Sequence, residues 1–218
     1  MNSKIRPIDL GFVNAYLLEA DDGFILVDTG VVQSRAALEA ALADAGCLPG
    51  KLRLLVLTHG DVDHTGNAAY IQRRYQTKTA IHRGDAAMVE NGEQPKRTVT
   101  LPIMRLITAT GGRASRAPEA FTPDILLEDG QLLSEYGFDA KVVHLPGHTA
   151  GSCALLCGED LIAGDVFSAF RKPGLSPFVE NFDDYRRSLE RIRGFGVKAV
   201  LPGHGKTFDY ALVRDKIL

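Results

Sequence analysis

The chain has 218 residues, of which 45% are hydrophobic and 24% are charged. This composition is typical of one globular α/β-type domain with enough chain to bury a full core. Its formal net charge of −2 provides no basic field, so we expect neither nucleic acid nor a membrane surface as a partner. The N-terminal MNSKIRPIDLG lacks the apolar region of a signal peptide, and no run approaches the roughly 20 apolar residues of a membrane span. We therefore expect a cytoplasmic protein.

The first half of the chain alternates strand-like and helix-like patterns, as expected for a mixed sheet covered by helices. The pair Asp21-Asp22 before Gly23 is a hairpin signal, and Gly46 is a helix stop. The predicted elements are, in order, strands over 12–19 and 23–28, a helix over 33–46, a strand in KLRLLVLT, a helix in TGNAAYIQRRYQ and a strand over 79–82.

The second half is predicted as short strands within 124–144, 151–157 and 160–164, a helix over 182–195 and a last strand in AVLPGHG. Residues 91–123 fit the alternation poorly, and we predict an inserted helical or loop segment there. Its arginines and lysines are ordinarily a solvated face; the functional alternatives are an anionic-substrate patch or a contact in a homodimer. No linker divides the chain, so we predict one domain over 1–218.

Seven side chains of metal-ligand type follow strand-like runs, and each lies near a glycine that lets the backbone turn tightly. They are His59, Asp61, Asp63 and His64 in LTHGDVDHTGN, His148 in LPGHTAGS, Asp165 in LIAGDVF, and His204 in LPGHGKT. Imidazole and carboxylate are good ligands for Zn, Mn and Fe. Since seven ligands exceed the need of one metal, the pattern predicts two metal ions that share a bridging carboxylate.

The order DTG, THxxxDH, PGHTxGS, GD, PGHG resembles that of the metallo-β-lactamase superfamily over nearly the whole chain. The resemblance implies an α+β fold, a four-layer αββα sandwich with the metals at one edge. It further implies that His59, Asp61 and His148 hold one metal, that Asp63, His64 and His204 hold the other, and that Asp165 bridges them. Asp28 is then expected beside the site, where it orients a ligand.

Position 61 departs from the superfamily pattern, which is His-x-His-x-Asp-His where this chain has His-x-Asp-x-Asp-His. If Asp61 coordinates, Asp61, Asp63, Asp165 and a hydroxide neutralise two dications, and such a site suits harder metals than the histidine version. Flavodiiron proteins also carry a carboxylate at this position and bind iron. Zinc is the favoured metal, with iron or manganese as alternatives because of Asp61; the other alternative is that Asp61 does not bind.

Two metals and a bridging hydroxide provide a nucleophile at neutral pH and polarise a carbonyl or phosphoryl oxygen. We therefore predict a metal-dependent hydrolase of a small-molecule ester, thioester, lactone or phosphoester, with Asp63 as ligand and orienter of the hydroxide. Arg171 and Lys172 follow Asp165 and are candidates to bind a substrate carboxylate or phosphate. The alternative is an iron-binding protein of redox or oxygen chemistry, similar to flavodiiron proteins or persulfide dioxygenases.

Other reactive residue types are expected to be structural. Three cysteines without a CxxC spacing indicate neither a disulfide framework nor a thiolate zinc site, so Cys153 and Cys157 are expected in the core. His82 ends a probable strand, where a structural or surface role is expected. His144 is expected to pack or to form hydrogen bonds under the His148 loop.

Overall fold

The computed structural model describes residues 4–92, 98–99 and 118–216, and the first half of the chain forms most of one sheet. In chain order, the strands up to residue 127 are β1 (Ile5–Asp9), β2 (Asn14–Ala20), β3 (Gly23–Val27), β4 (Leu52–Leu57), β5 (Lys78–His82), β6 (Thr98–Val99) and β7 (Ile125–Leu127). The helices are α1 (Arg35–Asp44), α2 (Val62–Thr65), α3 (Ala68–Tyr75) and α4 (Ala86–Asn91). The sheet has the order β1-β2-β3-β4-β5-β7, in which β3, β4, β5 and β7 are parallel.

The second half forms the other sheet. In chain order, the remaining strands are β8 (Lys141–His144), β9 (Cys153–Cys157), β10 (Asp160–Gly164), β11 (Phe167–Ser168), β12 (Gly174–Leu175), β13 (Phe178–Val179), β14 (Ala199–Pro202) and β15 (Phe208–Asp209). Its helices are α5 (Phe182–Ile192) and α6 (Ala211–Arg214). The order is β15-β14-β10-β9-β8, and β10 and β14 are parallel. Strand β11 pairs with β12, and β6 pairs with β13.

The apolar runs bury both faces of each sheet, which explains why the strands are almost continuously hydrophobic. In β4, Leu54 and Val56 point into a cluster that also holds Leu155 and Leu201 of the second sheet. The alternate residues, Leu55 and Leu57, lie in a cluster with side chains of α1 and α3. A third cluster packs α5 and α6 on the outer face of the second sheet. The four layers are therefore helix, sheet, sheet and helix, as predicted.

Local differences from the predicted elements have physical causes. The helix predicted over 33–46 begins as a 3₁₀ turn over 32–34 and continues as α1. The helix predicted in TGNAAYIQRRYQ is interrupted at Gly66, because the chain there docks on the loop before α1; a Cβ at Gly66 would lie 2.6 Å from the Gly30 carbonyl oxygen. The helix over 182–195 is α5 followed by a 3₁₀ turn, and the Asn181 side chain accepts from the first free N–H groups.

Most of the predicted insert lies outside the described residues, including Lys96, Arg97, Arg105, Arg113 and Arg116. Its role, the single domain over 1–218 and the homodimer stay predictions. Across the described ranges, none of the helices is both long and apolar enough to cross a membrane. Cys153 and Cys157 are buried and free, as expected.

Candidate metal centre

One edge of the sandwich collects the polar side chains that end the strands. Asp28 follows β3, His59 follows β4, Asp165 follows β10 and His204 follows β14. Because β3 is parallel to β4 and β10 is parallel to β14, the carboxyl ends of each pair meet at the same side of a sheet. The loop after β8 adds His148.

The first cluster consists of His59, Asp61 and His148, whose ligand atoms lie within 4.8 Å of one another. The Nε2 atom of His148 lies 3.1 Å from Oδ2 of Asp61, and Nε2 of His59 lies 3.4 Å from the same oxygen. A tetrahedral ion with bonds of about 2.0–2.1 Å sets its ligand atoms about 3.3 Å apart. The Asp61 carboxylate thus faces the two imidazoles at a separation that suits a shared cation.

The second cluster consists of Asp63, His64 and His204, again with ligand atoms within 4.8 Å of one another. Nε2 of His204 lies 3.3 Å from Oδ2 of Asp63. His64 is fully buried, whereas the Asp63 side chain keeps 23% of its exposure. Asp63 is therefore the member of this cluster that a substrate can approach from solvent.

Asp165 lies between the two clusters. Its Oδ1 is 3.3 Å from Nε2 of His64, and its Oδ2 is 3.3 Å from Nε2 of His204 and 3.7 Å from Nε2 of His148. One carboxylate therefore contacts imidazoles of both clusters, which is the arrangement that a bridging ligand requires.

Each imidazole is held through its Nδ1 atom, so that Nε2 points to the centre. Nδ1 of His59 lies 2.9 Å from the Thr58 hydroxyl. The corresponding atoms of His148 and His204 lie 2.8 and 2.7 Å from the backbone carbonyl oxygens of Phe178 and Phe12. Since a carbonyl oxygen only accepts, these imidazoles carry a proton on Nδ1, and Nε2 is the atom directed to the centre, where a metal would replace any proton on it.

Asp28 performs the same task for His64. It is buried and accepts three hydrogen bonds of 2.8 Å, from the Thr58 N–H, the Thr58 hydroxyl and Nδ1 of His64. Its φ of +60° lies in the left-handed region, which an aspartate tolerates better than most residues. The strain is offset by these three bonds, which fix His64 and the turn before His59.

The charges of the site favour a cation. Burial alone would raise the pKa of Asp61, yet His59 and the hydrogen bond to His148 hold that pKa well below its usual range. Burial likewise disfavours ionised Asp165, but His204 and His64 keep its pKa well below the usual range. Burial would lower the pKa of His204, whereas Asp165 and Asp63 raise it to about 10. Asp61 and Asp165 therefore stay ionised, and His204 attracts positive charge.

Three buried atoms at the centre fit a metal better than they fit a protein partner. Among the described residues, Nε2 of His59, Nε2 of His64 and Oδ1 of Asp165 have no hydrogen-bond partner. Leaving such groups unsatisfied costs about 1–3 kcal/mol each. Because they converge, and because imidazole and carboxylate suit divalent metals, these residues fit the metals that the sequence pattern predicts.

Asp85 is a residue that the motifs did not reveal. It is 1% exposed and accepts from the Gly60 N–H at 2.8 Å, the Thr149 hydroxyl at 2.7 Å and the Gly151 N–H at 2.7 Å. Gly60 belongs to the loop of His59, and Thr149 and Gly151 belong to the loop of His148. Asp85 therefore ties together the two loops that form the first cluster. No motif marks a lone aspartate in the turn RGDAA.

The remaining candidates lie outside the clusters. Arg171 and Lys172 are exposed and line a cavity beside His204. The His82 ring stacks on the His144 ring, with centroids 3.8 Å apart, and Nε2 of His144 lies 2.9 Å from the Ala150 carbonyl oxygen. His144 thus supports the His148 loop, as expected, and His82 is structural.

With this geometry in place, comparison with known proteins decides the family. The family model described as the metallo-beta-lactamase superfamily matches residues 8–204. The chain belongs to the metallo-β-lactamase superfamily. Hydrolytic enzymes recur among its relatives, and the chain is an enzyme of this hydrolase class.

Two curated relatives and one solved structure illustrate the range of this superfamily. The human acyl-coenzyme A thioesterase MBLAC2 is 30% identical over 84% of this chain and 64% of its own length. The atrochrysone carboxyl ACP thioesterase of Aspergillus fumigatus is 27% identical over 90% of this chain and 51% of its own length. A metallo-beta-lactamase family protein from Thermus thermophilus has a TM-score of 0.72 at 24% identity, over 98% of this chain and 76% of that chain. The chain thus spans about half to two thirds of the length of these two curated relatives, and the solved structure bears on the fold alone.

Proposed function

We propose that the chain is a thioester hydrolase that uses two divalent metal ions. His59, Asp61 and His148 would hold one ion, Asp63, His64 and His204 would hold the other, and Asp165 would bridge them. The observation that carries the proposal is the position of Asp165, whose two oxygens contact imidazoles of both clusters. The metals are zinc or, because of Asp61, manganese or iron.

The substrate class is supported by the relatives and by leaving-group chemistry. Both curated relatives described above are named thioesterases. Two divalent ions in these clusters would lower the pKa of water and polarise a carbonyl oxygen. A thiol has a pKa near 8.5, so a thiolate leaves without a general acid. Thioester cleavage therefore demands the least beyond the residues already in the clusters.

Asp63 has the role nearest to the reacting atoms. It is the most exposed carboxylate of the two clusters, and Nε2 of His204 lies 3.3 Å from its Oδ2. The side chain also keeps 23% of its exposure, so it would accept a hydrogen bond from the attacking water and orient that water toward the carbonyl carbon. His204, held by the Phe12 carbonyl, fixes the position of this carboxylate.

The test is release of thiol from a panel of acyl thioesters by the metal-loaded protein. Asp63→Asn should lower kcat by about 100-fold or more, because the amide is a weaker acceptor for the water proton. Asp44→Asn, an exposed change on α1, is the matched control. If Asp63→Asn cleaves thioesters as fast as the wild type, Asp63 does not orient the water. If the wild type cleaves no thioester, the proposed function is wrong.

A second candidate function is iron-dependent redox or oxygen chemistry. It is favoured by the Asp61 carboxylate, which faces His59 and His148 in the first cluster. A dinuclear zinc protein has no visible absorbance, whereas a ferric protein does. Iron bound in preference to zinc, with a visible band, would favour this candidate.

A further inference from the structure

A cavity of about 540 Å³ opens beside the second metal cluster. Three segments distant in sequence line it, namely residues 9–14, 169–173 and 205–208. It adjoins the site directly, since the Phe12 ring packs on the His204 ring with centroids 4.7 Å apart. Its size is that of a small-molecule pocket, and a ligand there lies next to the edge where thioester cleavage is proposed.

The walls of this cavity are pre-formed by backbone contacts. The Ala169 N–H donates to the His204 carbonyl at 2.7 Å, and a Cβ at Gly205 would lie 2.1 Å from the Ala169 carbonyl oxygen. The Asn14 amide donates to the Gly205 carbonyl at 2.7 Å. The segments that carry the lining side chains are therefore fixed against one another before any ligand binds.

The charged side chains of the cavity are mainly cationic. Arg171, Lys172 and Lys206 line it, and within the part of the chain that the structure describes none of them has an ion-pair partner. Asp9 is the opposing carboxylate, and its Oδ1 already accepts from the Gly11 N–H. Three cations against one carboxylate create a local positive potential in a chain of net charge −2. A phosphate, which carries a charge of about −1.5 to −2 as a monoester and a smaller one as a diester, suits such a cluster.

Two exposed phenylalanines form the apolar part of the lining. Phe12 and Phe170 retain 49% and 58% of their surface, and their rings meet edge to face with centroids 5.6 Å apart. Phe12 both lines the cavity and packs on the His204 ring, so apolar surface extends from the second cluster into the cavity. A ligand that joins a thioester to a phosphate through a partly apolar arm matches this sequence of surfaces.

We propose that the cavity binds the phosphopantetheine arm of the thioester substrate. The phosphate would contact Arg171, Lys172 and Lys206, and the arm would pack on Phe12 and Phe170 as it runs toward His204. This assignment rests on the proposed thioester hydrolysis. The same arm occurs in coenzyme A and in acyl carrier proteins, and both contain the phosphate that the cations would bind.

Binding is tested first without turnover. Calorimetry on the metal-free protein compares phosphopantetheine with pantetheine, which lacks the phosphate. We expect the phosphorylated arm to bind about tenfold or more tightly, as for one charge-assisted contact, and high salt to reduce the difference. Equal affinity for the two compounds, or no binding of either, would overturn the proposal.

Charge-reversal variants then assign the residues. The double variant Arg171→Glu with Lys206→Glu should remove the preference for phosphopantetheine over pantetheine. Phe170→Ala should weaken the binding of both compounds by the same factor. Arg74→Glu with Arg186→Glu makes the same double charge reversal on exposed positions of α3 and α5 and should keep the preference. If the reversal of Arg171 and Lys206 leaves the preference unchanged, the phosphate binds elsewhere and the assignment is wrong.

Kinetics separates this proposal from the proposed function. The KM values of acyl-coenzyme A, acyl-phosphopantetheine, acyl-pantetheine, acyl-glutathione and an acyl carrier protein are compared at fixed acyl group. A KM at least about tenfold lower for the phosphorylated thioesters supports the cavity assignment, and the lower of the coenzyme A and carrier-protein values identifies the source. A preference for acyl-glutathione overturns it. If no thioester is cleaved, the proposed function fails, while calorimetry still decides the cavity.

Discussion

Replacement of Asp85 by alanine removes the acceptor that joins the two ligand loops. The variant leaves three buried donors without their partner, on Gly60, Thr149 and Gly151. An unsatisfied buried donor costs about 1–3 kcal/mol, but the Thr149 hydroxyl also lies 2.7 Å from the Ser152 hydroxyl and can turn to it. We therefore expect a loss of about 3–5 kcal/mol in the free energy of unfolding of the metal-free protein.

The same variant should weaken the first metal cluster selectively. Asp85 fixes the separation between the loop of His59 and Asp61 and the loop of His148, so its loss broadens the distances among those ligands. Removal of a group that orients metal ligands typically costs about 10- to 100-fold in affinity. Competition titration with a metal-binding dye should show this loss for one of two equivalents, while the equivalent bound by Asp63 changes less.

Asp124 offers a matched control. It accepts from the Thr79 N–H at 2.8 Å and from the Gln72 side chain at 2.9 Å, but it contacts neither ligand loop. Asp124→Ala should lower stability and leave metal affinity unchanged. If Asp85→Ala lowers stability while both metal equivalents bind as in the wild type, Asp85 is only structural and the reasoning is refuted.

Three further predictions concern the metal, the pH dependence and the backbone. Asp61→His should raise the affinity for zinc relative to manganese by about tenfold in competition titrations, since imidazole replaces a harder ligand. An unchanged ratio of the two affinities would mean that Asp61 is not a ligand. Burial and the imidazole stacked on it lower the pKa of His82 to about 4, so the folded state holds fewer protons than the unfolded state between pH 6.5 and 4. The free energy of unfolding should fall as the pH drops through this window. His82→Gln should remove this part of the pH dependence, measured by denaturation at several pH values. Gly147 has φ +134°, and a Cβ there would lie 2.4 Å from Tyr185 Cα. Gly147→Ala should therefore lower the free energy of unfolding by more than about 2 kcal/mol. Gly158 has open space around it, so Gly158→Ala should lower that free energy by only about 1 kcal/mol.

The candidate site was largely accessible from the sequence because its chemistry lies in short motifs at strand ends. Each of the loops of His59, His148 and His204 contains its own glycine and its own ligand, and parallel strands carry such loops to one edge. The apolar runs predicted a mixed sheet covered by helices, and the four-layer arrangement came from the resemblance to the metallo-β-lactamase superfamily. Because these features are local, they can be recognised in the sequence without knowledge of the tertiary structure.

The features that the sequence did not predict depend on contacts between distant segments. Asp85 has no motif, and its role exists only where the loops after β4 and β8 meet. The cavity needs Phe12, Phe170 and Lys206 together, although more than 150 positions separate the first two of them along the chain. The interruption at Gly66 follows from close packing against Gly30, which helical spacing does not reveal.

The most direct test of the two-metal account is the metal content of the protein after saturation and desalting, measured together with its visible spectrum. The account predicts two equivalents of zinc or manganese per chain, with thioester cleavage rising until the second equivalent is bound. A single equivalent at full activity would contradict the bridging role of Asp165 and leave the hydrolysis to one cluster.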